Sequence, residues 1–439
     1  MVKNSFYKCD YCDCTLRFRY QIGAFNIPVN VYCPKCNCHI SGHIDIGDDP
    51  QSIKEHIIGA SEIEGDKAEY TLELSTEFLV NKCKKNKKSK KPELTMFLRS
   101  GPFDEERNMK RTRLLQLVNE SGYYVNTIEN LYNLLENNDV ELIRKYFLER
   151  NNDFVNSLKK NIDYNGVINR LDALLAIKHY VNTLLQPLMP EGVFDGLYDI
   201  MNEKVRNVVQ KHTSAFIDYL NHLNNDSFEA YLYKIPKFIV DYIKCVGQLV
   251  PVYDNYTKFD SIDLKVDGIS TMSVDDMVVI YKKGFELICD SIDLVVALNN
   301  INYHGTYDNF GYGKENFDKK LNGYRSKYLK YKEVANEYDF FDGIRDKLNN
   351  IIRNAEGHNS IRIDGLNQTI TFTNKYKEKT DTCTKTFLEF GKECIDLFAT
   401  VLRIWEFYYQ TLKFKAVFID KTSLNYGKST YSSNDKRSN

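Results

Sequence analysis

At 439 residues the chain exceeds what one ordinary core organises, which sets an expectation of about two to four domains. Its 43% hydrophobic and 27% charged residues are those of a soluble globular protein, and a formal charge of -1 excludes a uniformly basic nucleic-acid coat while leaving room for a local basic groove. The opening MVKNSFYKCDYC passes from polar residues directly into cysteines, and apolar runs such as Phe238–Val240 and Met277–Tyr281 are broken by Lys and Asp well short of membrane-spanning length. A cytoplasmic protein with no signal peptide and no membrane partner is therefore expected.

In chain order, residues 1–64 hold Cys9, Cys12, Cys14, Cys33, Cys36 and Cys38, with Leu16, Phe18, Tyr20 and Ile22 alternating between polar neighbours. That is the texture of strands joined by tight turns. Residues 65–103 continue with the alternating string KAEYTLELSTEFLV, then with the densest charge run of the chain, Lys82, Lys84, Lys85, Lys87, Lys88, Lys90 and Lys91, closed by Pro92. The run is expected as an exposed loop or hairpin tip at a domain boundary.

From 104 to 265 the period becomes helical, with Ile128, Leu131, Leu134 and Leu135 on one stripe and Leu171, Leu174, Leu175 and Tyr180 on another. Residues 266–420 form the last unit. Ser273 with Asp275 and Asp276 opens a long helix, and helices at about 315–335 and 338–357 follow a Gly/Tyr/Asn-rich loop. The string SIRIDGLNQTITFT reads as a hairpin turning around Gly365–Gln368, and a long apolar helix is expected from about 382 to 413. Residues 421–439 read as a flexible tail. The expected fold is mainly α: a C-terminal helical bundle with a short β-hairpin, a helical middle region and a small β unit at the N-terminus.

Six of the eleven cysteines lie between residues 9 and 38, a clustering that points to a metal rather than to disulfides. Cys9-x2-Cys12 and Cys33-x2-Cys36 are separated by 20 residues. A pair of thiolates two residues apart chelates one ion from a tight turn, and two such turns complete a tetrahedral shell. The expected cofactor is a structural Zn2+ held by Cys9, Cys12, Cys33 and Cys36, with Cys14, Cys38, His39 and His43 as alternative ligands. Four thiolates leave no position for a reactive water, so a catalytic metal is not expected here. The segment resembles a zinc ribbon, a module that often binds nucleic acid or a partner protein.

The second motif is LNNIIRNAEGHNSIRIDG. Arg353, Asn354 and His358 end an apolar-striped helix (Phe340, Ile344, Leu348, Ile351, Ile352), and Asn354 and His358, four apart, share one face. Imidazole titrates near neutrality and suits general acid–base work on a ribose 2′-hydroxyl without a metal. A guanidinium can hold the neighbouring phosphate by two donors, and the Asn354 amide can orient either group.

This RN-x3-H segment, with its helix, hairpin and final helix, resembles the HEPN superfamily (higher eukaryote and prokaryote nucleotide-binding domains) over about residues 270–420. The resemblance implies a metal-independent endoribonuclease of the antiviral-defence, abortive-infection or toxin kind. By it, Arg353, Asn354 and His358 are catalytic, the chain is a homodimer through this domain, RNA is the substrate, and a regulatory protein is a further possible partner.

A second string, Arg206, Asn207 and His212, has one extra residue of spacing and no hairpin after it. It reads as an exposed patch on a helix running on through Phe216 and Leu220. Lys84, Lys85, Lys87 and Lys88 are candidates for RNA phosphate contacts. The rival reading is a catalytically inactive nucleic-acid-binding sensor or scaffold that uses the cysteine unit and this lysine loop. His179, His222, His304 and Trp405 are assigned to structural or surface roles.

Overall fold

The structure, a computed structural model, describes residues 2–23, 25–47, 52–86, 94–100, 105–149, 164–189, 197–223, 225–334, 339–345, 347–356, 360–422 and 425. The N-terminal strands are β1 (Val2–Cys9), β2 (Thr15–Gln21), β3 (Ile27–Tyr32), β4 (His39–Asp45), β5 (Lys54–Ile58), β6 (Ala60–Glu62), β7 (Tyr70–Leu74), β8 (Val80–Asn81) and β9 (Lys84–Lys85). They make one sheet in the order β6-β1-β2-β7-β9 and another in the order β3-β4-β5. β1 and β2 are antiparallel, whereas β7 runs parallel to β2.

Alternation in the sequence becomes alternation in space. Leu16, Phe18 and Tyr20 of β2 are fully buried and Tyr7 stacks on Phe18 at 4.7 Å, within a core that also takes Val29, Ile40, Ile44 and Leu74. The opposite side of β2 and β7 is closed by charge: Glu73 accepts from Arg19 at 2.6 Å and from Arg99 at 2.5 Å, and from the Asn81 amide at 2.8 Å. A carboxylate this buried is tolerable because its lone pairs are taken.

The helices are α1 (Met96–Arg99), α2 (Glu105–Asn119), α3 (Ser121–Glu136), α4 (Val140–Glu149), α5 (Arg170–Leu185), α6 (Leu197–Lys211), α7 (Thr213–His222), α8 (Asn225–Cys245), α9 (Val250–Asp254), α10 (Val274–His304), α11 (Phe317–Asn322), α12 (Lys327–Val334), α13 (Asn350–Glu356) and α14 (Phe387–Phe418). Two-residue β10 (Asp267–Gly268) pairs with β8, and β11 (Ile361–Asp364), β12 (Thr369–Tyr376) and β13 (Lys379–Thr386) form an antiparallel sheet. The described residues are thus predominantly helical with small sheets. Helices from 104–265 and from 266–420 share one continuous core: Phe147, Tyr180 and Phe216 belong to the same cluster as Phe285, Phe398 and Trp405. Tyr242 lies flat on Phe398 at 3.8 Å, and buried Lys178 pairs with buried Glu406.

Four local expectations are corrected. The final helix starts at Phe387 rather than near 382, because residues 379–386 pair with β12 and Thr386 forms a capping box with Glu389. The expected 338–357 helix reduces to the short α13. Phe340, Ile344, Leu348 and Ile352 are buried at helical spacing, yet Gly343 sits at φ 77° with the Arg403 guanidinium where a Cβ would project, which breaks the helix. The expected 315–335 helix is split into α11 and α12. The helix carrying Arg206 ends at Lys211, and His212 (φ -136°, ψ 45°) separates it from α7.

Candidate metal centre and the Arg353 segment

Each cysteine pair sits in a turn of the same construction. In the first, the Cys9 amide donates to the Cys14 carbonyl at 2.9 Å and the Asp13 amide to the Cys9 carbonyl at 3.0 Å, with Asp13 at φ 57°. The second repeats it: Cys33 to Cys38 at 2.9 Å, Asn37 to Cys33 at 2.8 Å, and Asn37 at φ 61°. Asp and Asn are the non-glycine residues that best tolerate this left-handed conformation. The repeat C-x-x-C-[D/N]-C therefore has a division of labour in which the first two thiols face inward and the third cysteine closes the turn through its carbonyl.

The two turns bring Cys9, Cys12, Cys33 and Cys36 together, their sulfurs all within 4.8 Å of one another. Cys9 Sγ lies 3.7 Å from Cys36 Sγ, and Cys12 Sγ lies 3.6 Å from Cys33 Sγ. Thiolates bound to one tetrahedral zinc at ~2.3 Å stand about 3.7 Å apart, whereas a disulfide would need ~2.05 Å. The four residues therefore fit a zinc ion. Burial pushes the Cys33 thiol well up, a cost that a divalent cation offsets by stabilising the thiolate. Of the alternative ligands, the Cys14 and Cys38 thiols stand beside the group, interacting with Cys33 and Cys36 respectively, but outside the four whose sulfurs converge, and the histidines face other partners. The Cys14 thiol is buried, pushed up to about 11 by that burial, and turned to the Thr15 carbonyl. His39 stacks on Tyr32 at 4.9 Å, and His43 faces His56.

Arg353 and Asn354 lie on α13, a two-turn helix that packs on β12 and α10 through buried Ile352 and Ala355. Asn349 caps it, accepting from the Ile351 amide at 3.0 Å, and is itself held by the Tyr281 hydroxyl, which accepts from its amide at 2.8 Å. The guanidinium donates through Nε to Glu286 Oε1 at 2.7 Å and through Nη1 to Asn354 Oδ1 at 2.8 Å, and Nη2 also reaches Glu286. Lys327 bridges Glu286 at 3.5 Å and Asp290 at 2.5 Å. Arg353 is 39% exposed, so part of its side chain faces solvent. His358 lies outside the described residues.

Sequence reasoning did not single out Glu286 or Lys327; the available signal was the Glu286–Asp290 pair, four apart on one face of α10. A cleft of about 560 Å³ opens along the approach to α13, lined by Tyr281, Tyr328, Lys347, Asn349, Glu393 and Asp396 among others. Burial raises the Glu393 carboxyl, against the opposing pull of Lys385.

Of the lysine candidates, Lys84 and Lys85 form β9, an exposed edge strand on β7, while Lys82 turns inward to the Leu264 carbonyl at 2.6 Å. Lys87 and Lys88 lie outside the described residues. Arg206 is exposed, His222 stacks on Tyr307 and meets Asp318 at 3.2 Å, and Trp405 is buried. No helix among the described residues is long and apolar enough to cross a membrane. Comparison with protein-family models, curated proteins and solved structures finds no match to this chain.

Proposed function

We propose that the chain is a metal-independent endoribonuclease of the HEPN type, acting as an antiphage-defence or toxin effector, with a structural zinc in the four-cysteine centre. The observation that supports this most is the placement of Arg353: Glu286 and Asn354 fix its guanidinium in a side chain that stays 39% exposed, five residues before His358 ends the motif's sequence. A guanidinium fixed on one edge can donate to a phosphate from the other. In the proposed reaction His358 takes the proton from a ribose 2′-hydroxyl and the 2′-oxygen bonds to phosphorus. The bond to the 5′-oxygen then breaks, with that oxygen taking a proton, and a cyclic phosphate and a 5′-hydroxyl remain. Arg353 stabilises the charge that grows on the phosphate. A homodimer with two such motifs sharing a cleft belongs to this reading.

The binding-module alternative draws on a different observation, the exposed Lys84–Lys85 edge strand beside the cysteine unit. One comparison separates the two: RNA cleavage with EDTA present, for the native protein against His358→Ala and Arg353→Ala. Cleavage that survives chelation, with zinc retained, and falls by about 100-fold or more in either variant is the expected result. Equal cleavage by all three overturns the assignment, and tight binding without cleavage of tRNA, rRNA or mRNA selects the alternative.

A further inference from the structure

β4 and β5 place a second group of ligand-type side chains well apart in kind from the cysteines. Their ladder pairs His43 with His56, Ile44 with Glu55 and Asp45 with Lys54. Successive side chains alternate faces, so Ile44 and Glu55 turn inward while His43, Asp45 and His56 share the outer face. Inside, Ile44 is fully buried and Glu55 accepts from Ser5 at 2.7 Å and Tyr7 at 2.8 Å, which fixes the register. A slip of one residue would place Glu55 on the outer face, so the juxtaposition of the two histidines is determined by the core beneath them. Gly42 makes the close approach possible: at φ 143°, a Cβ there would stand 1.9 Å from the His56 carbonyl oxygen.

The three side chains converge. His56 Nε2 lies 3.4 Å and His43 Nε2 lies 3.8 Å from the same oxygen, Asp45 Oδ2, and the imidazole rings are 4.8 Å apart. Every pair of ligand atoms in the group is within 4.8 Å. Donors bound to one tetrahedral ion at ~2.0–2.1 Å stand about 3.3 Å apart, so small rotations of two half-exposed imidazoles complete the set.

We propose that His43, Asp45 and His56 form a second metal site, taking a first-row divalent cation such as Zn2+ or Co2+ and leaving at least one coordination position to water or an anionic oxygen. Two imidazoles and one carboxylate select such ions over Mg2+ and Ca2+, which prefer all-oxygen shells. Three protein ligands leave the shell incomplete, in contrast to the closed four-thiolate centre. The site is independent of the nuclease reading and uses none of its residues.

The test is metal stoichiometry of the full chain, purified without a polyhistidine tag, by equilibrium dialysis against Zn2+ with elemental analysis and by Co2+ titration. The native protein should bind one equivalent that resists dialysis and a second with micromolar affinity. Co2+ in that second site should give weak visible bands without the intense near-ultraviolet absorption of cobalt–thiolate. His56→Ala and Asp45→Asn, both on the exposed face, should each lose the second equivalent, keep the first, and retain the native circular dichroism spectrum. Saturation of the native protein at one equivalent, or a second equivalent undiminished in both variants, overturns the proposal.

Discussion

The side chain of Asn37, in the second cysteine turn, accepts a hydrogen bond of 2.9 Å from the amide of Gly365, in the turn between β11 and β12, 328 residues away. Gly365 is packed so closely that a Cβ would meet Tyr32 Cβ at 2.5 Å, and the Tyr32 ring meets Phe387, the first residue of α14, edge-on at 5.8 Å. The knuckle is thus seated on the hairpin that follows the Arg353 helix.

Gly365→Ala should lower stability by about 1–3 kcal/mol, because the added methyl forces Tyr32 away. Asn37→Ala should cost about 1–2 kcal/mol through the lost acceptor and the strained left-handed backbone. Urea unfolding of both single variants and the double variant should show a coupling between the two sites. Strict additivity would mean that the hydrogen bond holds nothing.

For the metal centre, Cys9→Ser and Cys36→Ser should each lose the tightly bound zinc, whereas Cys14→Ser and Cys38→Ser should keep about one equivalent per chain. Elemental analysis decides it. Zinc loss in Cys14→Ser with retention in Cys9→Ser would reverse the assignment.

Glu286 neutralises Arg353 as well as orienting it. Glu286→Gln removes the competing charge while keeping a hydrogen-bond acceptor. If Arg353 meets RNA phosphate, RNA affinity at fixed salt should rise by about 3- to 10-fold in this variant. Unchanged affinity by fluorescence anisotropy would place Arg353 outside the RNA contact.

Asp364 gives a pH dependence. Burial alone would raise its carboxyl, but hydrogen bonds from the Asn367 side chain (2.7 Å) and from the Asn367 (3.1 Å) and Leu366 (3.0 Å) amides outweigh it, so the value is lowered. A carboxyl whose folded value lies below its unfolded one contributes stability above the ordinary aspartate range, and loses it as pH falls through the lowered folded value. The difference in Tm between the native protein and Asp364→Ala should therefore be small at neutral pH, since the group is largely exposed, and should shrink on acidification below about pH 4. A difference that grows with acid contradicts the sign.

In the helical core, Glu406 balances buried Lys178, whose pKa is lowered by burial against the opposing pull of Glu406. Glu406→Ala should destabilise by about 3–5 kcal/mol by leaving an uncompensated charge, and the double variant Lys178→Met, Glu406→Leu should recover most of that loss. Urea midpoints measure both, and a double variant as unstable as the single one would refute the account.

The sequence by itself determined what short-range chemistry determines. Paired thiols with two residues between them suit a tight turn that presents two sulfurs to one point. Ser273 before two aspartates starts a helix where an Asp276 amide finds its cap. Alternation in 15–21 and apolar stripes in the long helices declared their buried faces, because period follows from backbone geometry alone.

Tertiary structure decided the rest. The stripe of Phe340, Ile344, Leu348 and Ile352 reads as one helix, yet all four are buried, Phe340 against Phe407 of α14, while the backbone breaks at Gly343. Glu286 reaches Arg353 across 67 residues, and the register of β4 on β5 sets His43 opposite His56. Such encounters depend on which surfaces are buried together, a property of the whole chain's packing that no local pattern encodes.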